Sequence, residues 1–96
     1  MSWEIEFYKK CDGSCPVAEF IDSLDKKMQV KFFRLLSLLE EHGNQLREPN
    51  SKHLEDGIFE LRVIQGSNTA RVLYFFVVGN KIILTNGFIK KSQKTP

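Results

Sequence analysis

Residues 58–89 read IFELRVIQGSNTARVLYFFVVGNKIILTNGFI, and this stretch decides the fold. Apolar, β-branched and aromatic residues crowd three runs: about Ile58 to Ile64, Thr69 to Val78, and Lys81 to Ile89. Such residues suit a pleated, half-buried surface. Gln65-Gly66-Ser67-Asn68 and Gly79-Asn80 separate the runs, and both links are of hairpin type. Three strands joined by two short turns make an antiparallel meander. The middle run is almost wholly apolar, so it is expected at the centre of the sheet.

Working outward, Lys52–Glu55 reads as a short lead-in to the first of these strands. The polar loop Gln45 to Ser51, with Pro49, precedes it. Further upstream the period changes from strand-like to helical. Val17, Phe20, Ile21 and Leu24 recur at helical spacing, behind Pro16 at a first-turn position and Ser14 or Cys15 as the cap. Asp25 is placed to cap a second helix whose buried stripe is Met28, Phe32, Leu35, Leu36 and Leu39. Gly43 and Asn44 stop it. At the start, Trp3-Glu4-Ile5-Glu6-Phe7-Tyr8 alternates apolar and acidic residues, as a half-buried strand does. The order is β-α-α-β-β-β. It predicts an α+β fold: an N-terminal strand, then a helical hairpin packed on one face of a mainly antiparallel sheet that contains the three-stranded meander.

A chain of 96 residues predicts a single domain over 1–96. Its 42% hydrophobic and 11% aromatic content sets it apart from disordered chains. No apolar run approaches the roughly 20 residues of a membrane span. The start Met1-Ser2-Trp3-Glu4-Ile5-Glu6 lacks the basic and apolar regions of a signal peptide. A cytoplasmic protein without membrane partners is expected. Cys11 and Cys15 are then expected as free thiols. They have no second Cys/His pair at zinc-ligand spacing, so neither a metal nor a cofactor is expected.

The net charge of +2 hides an asymmetry. Residues 1–50 hold seven Lys/Arg against nine Asp/Glu, a balance of −2. Residues 51–96 hold seven against three, a balance of +4. Such segregation points to a polyanionic partner for the second half.

The hairpin turns set a register that locates those charges. A four-residue link puts Ile64 opposite Thr69 and Arg62 opposite Arg71. A two-residue Gly79-Asn80 turn puts Val78 opposite Lys81, Phe75 opposite Leu84, Leu73 opposite Asn86, and Arg71 opposite Phe88. Side chains alternate between faces. Arg62, Arg71, Asn86, Phe88 and Lys90 therefore share one face near one end of the sheet. Leu61, Val63, Val72, Tyr74, Phe76 and Ile83 are expected to point toward the helices. Facing like charges destabilise a strand pair by up to about 1 kcal/mol, and Glu60, diagonal to Arg71, can offset part of that. Two arginines steadied by one carboxylate read either as a solvated cluster or as a phosphate site, since guanidinium forks bind phosphate oxygens in pairs. His53 is a candidate acid or base near neutral pH, and His42 is better explained by the helix dipole. Phe88 is a base-stacking candidate or an edge-of-core residue. The remaining open face, Leu73, Phe75, Val77, Ile82 and Leu84, forms an apolar patch that a partner or further helix should cover.

Three fragments in order carry a family resemblance: Phe59-Glu60-Leu61-Arg62-Val63, Ala70-Arg71-Val72-Leu73-Tyr74-Phe75, and Asn86-Gly87-Phe88-Ile89-Lys90-Lys91-Ser92-Gln93-Lys94-Thr95-Pro96. Together they resemble the phage-derived branch of the HigB/RelE toxins. The resemblance implies a toxin–antitoxin module whose toxin cleaves mRNA, usually in the ribosome. A helix-turn-helix antitoxin neutralises it and brings it to operator DNA. The implied chemistry is metal-free: the ribose 2′-OH attacks its own 3′ phosphate, leaving a cyclic phosphate and a 5′-OH. Arg62 and Arg71 match the phosphate-stabilising positions. Lys90, Lys91 or Lys52 match positioning or proton-transfer roles, with His53 as an alternative. Lys52, Phe88, Asn86 and Lys94 are then RNA-binding positions, and Leu73, Phe75, Val77 and Leu84 an antitoxin-binding patch. Relatives continue past the Lys-Thr-Pro element into a C-terminal helix, which is expected here to be missing or truncated. The scaffold also resembles ParE-type, non-enzymatic gyrase inhibitors, and an inactive relative that binds only antitoxin and operator DNA is a third expectation.

Overall fold

In the computed structural model, residues 3–91 are described, with side chains through Ile89. The elements are β1 (Glu4–Phe7), α1 (Pro16–Ser23), α2 (Lys26–His42), a 3-10 turn (Gly43–Gln45), β2 (Ser51–Glu55), β3 (Ile58–Gln65), β4 (Asn68–Val77) and β5 (Lys81–Lys91). They form the expected α+β fold. The five strands lie in the order β1-β5-β4-β3-β2. β2 to β5 are antiparallel neighbours, and β1 runs parallel to β5 at the far edge.

Local chemistry accounts for the helix limits. Pro16 opens α1, with Cys15 in the cap position but no side-chain cap bond. Asp25 caps α2 by accepting the Met28 backbone N–H at 2.8 Å, which satisfies one of the orphan donors of the first turn. Gly43 ends α2 at φ 54°, where its N–H donates to Leu39 O. A Cβ at Gly43 would sit 2.0 Å from the Trp3 indole. Trp3 is fixed there by its own N–H, which donates to Glu40 O at 2.8 Å. This close approach ties the chain's start to the end of α2, and only glycine permits it.

The segment read as a lead-in is a strand in its own right. Asp56 and Gly57 both take positive φ, 49° and 79°, as a two-residue hairpin turn requires. They fold β2 back on β3, with a bulge between His53 and Glu55. The β3–β4 register is the expected one, with Arg62 opposite Arg71 and Ile64 opposite Thr69.

The β4–β5 hairpin differs from expectation in two places that offset each other. Its turn takes in Val78 as well as Gly79 and Asn80, so Val77, not Val78, faces Lys81. Near the turn the strand is therefore slipped by one residue. Phe75 pairs with Ile83 and Tyr74 with Leu84. A bulge at Thr85 then restores the expected pairs, Leu73 with Asn86 and Arg71 with Phe88. A one-residue slip turns every side chain to the other face. Ile82 and Leu84, expected on the open face, are fully buried under the helices, and Leu84 leaves the apolar patch assigned to a partner. Ile83, expected in the core, shares the open face with Phe75 instead.

Beneath the helices, Val17, Ile21, Phe32, Leu35 and Leu39 meet Leu61, Val63, Val72, Tyr74, Ile82 and Leu84 in one core. Gly87, opposite Val72, admits the Phe20 ring: a Cβ there would lie 2.4 Å from it. Cys11 and Cys15 are free thiols. No helix among the described residues is long and apolar enough to cross a membrane. The expected absence of a C-terminal helix concerns a stretch outside the described residues.

Candidate functional site

The open face of β3 and β4 carries the candidate residues. Glu60, Arg62 and Arg71 point to this face because they occupy alternate positions on paired strands. Glu60 is 4% exposed although no helix covers it. Its Oε1 accepts from Arg71 Nη1 at 2.7 Å and from Arg62 Nε at 3.0 Å. One buried carboxylate oxygen thus holds two guanidinium groups side by side. Glu48, from the loop before β2, adds a longer contact of 3.6 Å to Arg62 Nη1. The Arg62 backbone N–H donates to Asn50 O at 2.8 Å, which docks this loop on β3.

The geometry explains how two facing arginines are tolerated. Their mutual repulsion acts across a carboxylate that both share, in a setting where they keep only about a fifth of their side-chain exposure (20% and 18%). Charge-assisted bonds of this length are about twice as strong as neutral ones. Glu60 engages Nε of Arg62 and Nη1 of Arg71, and with Glu48 the two arginines are matched by two carboxylates, one buried and one largely exposed. Among the described residues Arg71 Nε is buried with no hydrogen-bond partner. The remaining Nη groups are of the kind that pairs with the oxygens of a tetrahedral oxyanion such as a phosphodiester.

Around this pair the expected residues fall into three groups. Lys52 stands opposite Glu60 on β2, Phe88 opposite Arg71 on β5, and Asn86 opposite Leu73. Lys52, Asn86 and Phe88 are exposed, Phe88 at 41%. Along the backbone Lys90 pairs with Thr69 and Lys91 with Asn68, at the same end of the sheet as Arg71. Lys94 lies outside the described residues. His53 forms a third group by itself: it pairs with Phe59 and so belongs to the helix-covered face, away from the arginines. Its ring centroid is 4.8 Å from that of Phe59. Leu73, Phe75 and Val77 remain on the open face, half-buried, with Ile83 beside them. Beyond this patch Lys81 Nζ pairs with Glu6 Oε2 at 3.3 Å across β5 and β1.

Sequence reasoning missed Glu48, because it reaches Arg62 from a loop with no periodicity to read, beside Arg47, whose Nη1 donates to Asn44 O at 2.9 Å. It placed Tyr74 facing the helices, where the structure buries it with its hydroxyl hydrogen-bonded to the Ser51 hydroxyl inside the core. Burial pushes the Tyr74 phenol above its ordinary value, and the Ser51 bond pulls partly the other way. Among the described residues no group of three or more His, Cys, Asp or Glu is arranged to hold a metal ion.

A model of the phage-derived Gp49-like protein family (DUF891) matches residues 19–96, the whole of the sheet apart from β1 and nearly all of the helical hairpin. The chain belongs to the Gp49-like family. This is a RelE-like, toxin-like family, related to the toxins of toxin–antitoxin modules. Both arginines, Glu60 and the apolar patch lie within the matched region. Kinship of this kind suggests an antitoxin as a partner of the Gp49-like chain. No curated protein matches the chain.

Proposed function

We propose that this Gp49-like protein is the toxin of a HigB-type toxin–antitoxin module and cleaves mRNA on the ribosome. The observation that carries the reading is the pair Arg62 and Arg71, clamped side by side by Glu60 on an uncovered sheet face. Cleavage by the neighbouring 2′-OH builds negative charge on the phosphate as the fifth bond forms. Two preorganised guanidinium groups are the kind of donor that such charge requires. Lys52, opposite Glu60, is the nearest lysine across β2, with Lys90 and Lys91 at the Arg71 end of β5. One of these lysines takes the 2′-OH proton or protonates the 5′ leaving oxygen. His53 drops out of that role because it sits on the other face.

Phe88 and Asn86 then flank the scissile phosphate for base contacts, with Lys94 as a further phosphate contact. Leu73, Phe75 and Val77, joined by Ile83, form the surface that a helix-turn-helix antitoxin covers. Operator DNA is engaged only through that complex, and the setting is the cytoplasm. Primer extension on a reporter mRNA after induction tests the proposal. New 5′ ends are expected with the wild type and none with a folded Arg71→Ala variant. Intact mRNA with trapped gyrase–DNA complexes would identify a gyrase-directed toxin instead. Intact mRNA with neither would leave only an antitoxin-binding relative.

A further inference from the structure

A concavity of about 480 Å³ opens on the helix side of β2 and is lined by Arg47, Glu48, Lys52, His53 and Phe59 among others. Its size falls within the roughly 300–1,000 Å³ of small-ligand clefts. His53 is exposed, yet its ring packs on Phe59, which is itself stacked on Tyr74 with centroids 5.5 Å apart. The histidine is thus a supported aromatic platform at the edge of the sheet. Two cations, Arg47 and Lys52, border it against one carboxylate, with Arg47 steadied by its Nη1 donating to Asn44 O at 2.9 Å. That carboxylate, Glu48, is the one that reaches Arg62 at 3.6 Å. Lys52 also lies opposite Glu60 in the β2–β3 register. The hollow and the paired arginines therefore share two residues across the edge strand.

We infer that this hollow is a base-binding subsite, which receives one unpaired nucleobase of the RNA whose phosphate lies at Arg62 and Arg71. The inference rests on the RNA reading proposed above and gives it a direction: the strand crosses the β2 edge. The base stacks on the outer face of His53, and Arg47 and Lys52 hold the backbone beside it. Flat aromatic faces flanked by cations recognise single-stranded nucleic acid in this way. The free edge of the base meets Glu48, an acceptor, which favours a base that presents amino or imino hydrogens.

The test uses full-length protein and short single-stranded RNAs, blocked at every 2′ position, with one 2-aminopurine walked along the strand. Wild type should quench the fluorescence at one position. His53→Ala should weaken that quenching roughly 10-fold, as loss of one stacked base does, and His53→Phe should restore it. Equal quenching by wild type and His53→Ala, or quenching at no position, would overturn the subsite. Cleavage of unblocked mRNA by wild type, without position-specific quenching, would leave the cleavage reading standing and remove this one. Quenching without cleavage would do the reverse.

Discussion

The two faces of the sheet are built on opposite principles. The helix-covered face is filled by apolar side chains that exclude water, with Leu61, Val72, Ile82 and Leu84 fully buried. The other face reaches a comparable burial for one residue, Glu60, by charge pairing alone. The first arrangement is tolerant, because apolar burial is non-directional. The second is not, since a buried carboxylate depends on donors at fixed places. That second kind of order holds Arg62 and Arg71 in fixed positions at the sheet surface.

Substitutions that contrast the faces should separate in size. On the covered face Phe32→Ala empties a fully buried ring site and should cost about 3–5 kcal/mol, measured by urea unfolding. On the open face Glu60→Ala leaves two crowded arginines without their shared acceptor. It should cost about 3 kcal/mol, nearly matching the core substitution although no apolar contact is lost. A loss below 1 kcal/mol would mean that solvent already screens the cluster. Neighbours on β4 sharpen the contrast further. Val72→Ser should cost about 2–3 kcal/mol through lost packing and a buried hydroxyl, while Leu73→Ser, one residue on, should stay within about 1 kcal/mol.

A modest effect concerns the polar pair inside the core. Tyr74→Phe removes the bond to Ser51 and should cost about 1–2 kcal/mol at neutral pH. Because burial raises the Tyr74 pKa above 10.0, its neutral form contributes stability that is fully present below pH 10. That contribution is lost as pH rises through the higher folded value. Wild type should therefore lose stability steeply in the alkaline range, and Tyr74→Phe less so, as denaturation at a series of pH values would reveal.

Much of this was legible from alternation and turn chemistry. Arg62 facing Arg71 follows from Gly66, whose positive φ closes the β3–β4 turn at the expected place. The β4–β5 hairpin was half legible. Gly79-Asn80 marks the turn but not its length, because apolar, β-branched Val78 reads as strand and yet is fully exposed in the turn (100%). Nothing about Thr85 announces a bulge. The two irregularities offset each other below Leu73, so the arginine end of the sheet was readable and the turn end was not. The Asp56-Gly57 dipeptide marks β2, but placing His53 on its face requires the β2–β3 register. Arg47 and Glu48 depend on how a loop docks through Asn50, which no local pattern encodes.

The most direct test of the paired-arginine site is the rate of mRNA cleavage in a reconstituted translation reaction, comparing wild type with Arg71→Ala of verified fold. Loss of one preorganised donor to a developing oxyanion should slow cleavage by about 10²–10³-fold, with Arg71→Lys recovering only part of the rate because a lysine lacks the fork. Cleavage by folded Arg71→Ala at the wild-type rate would contradict the account.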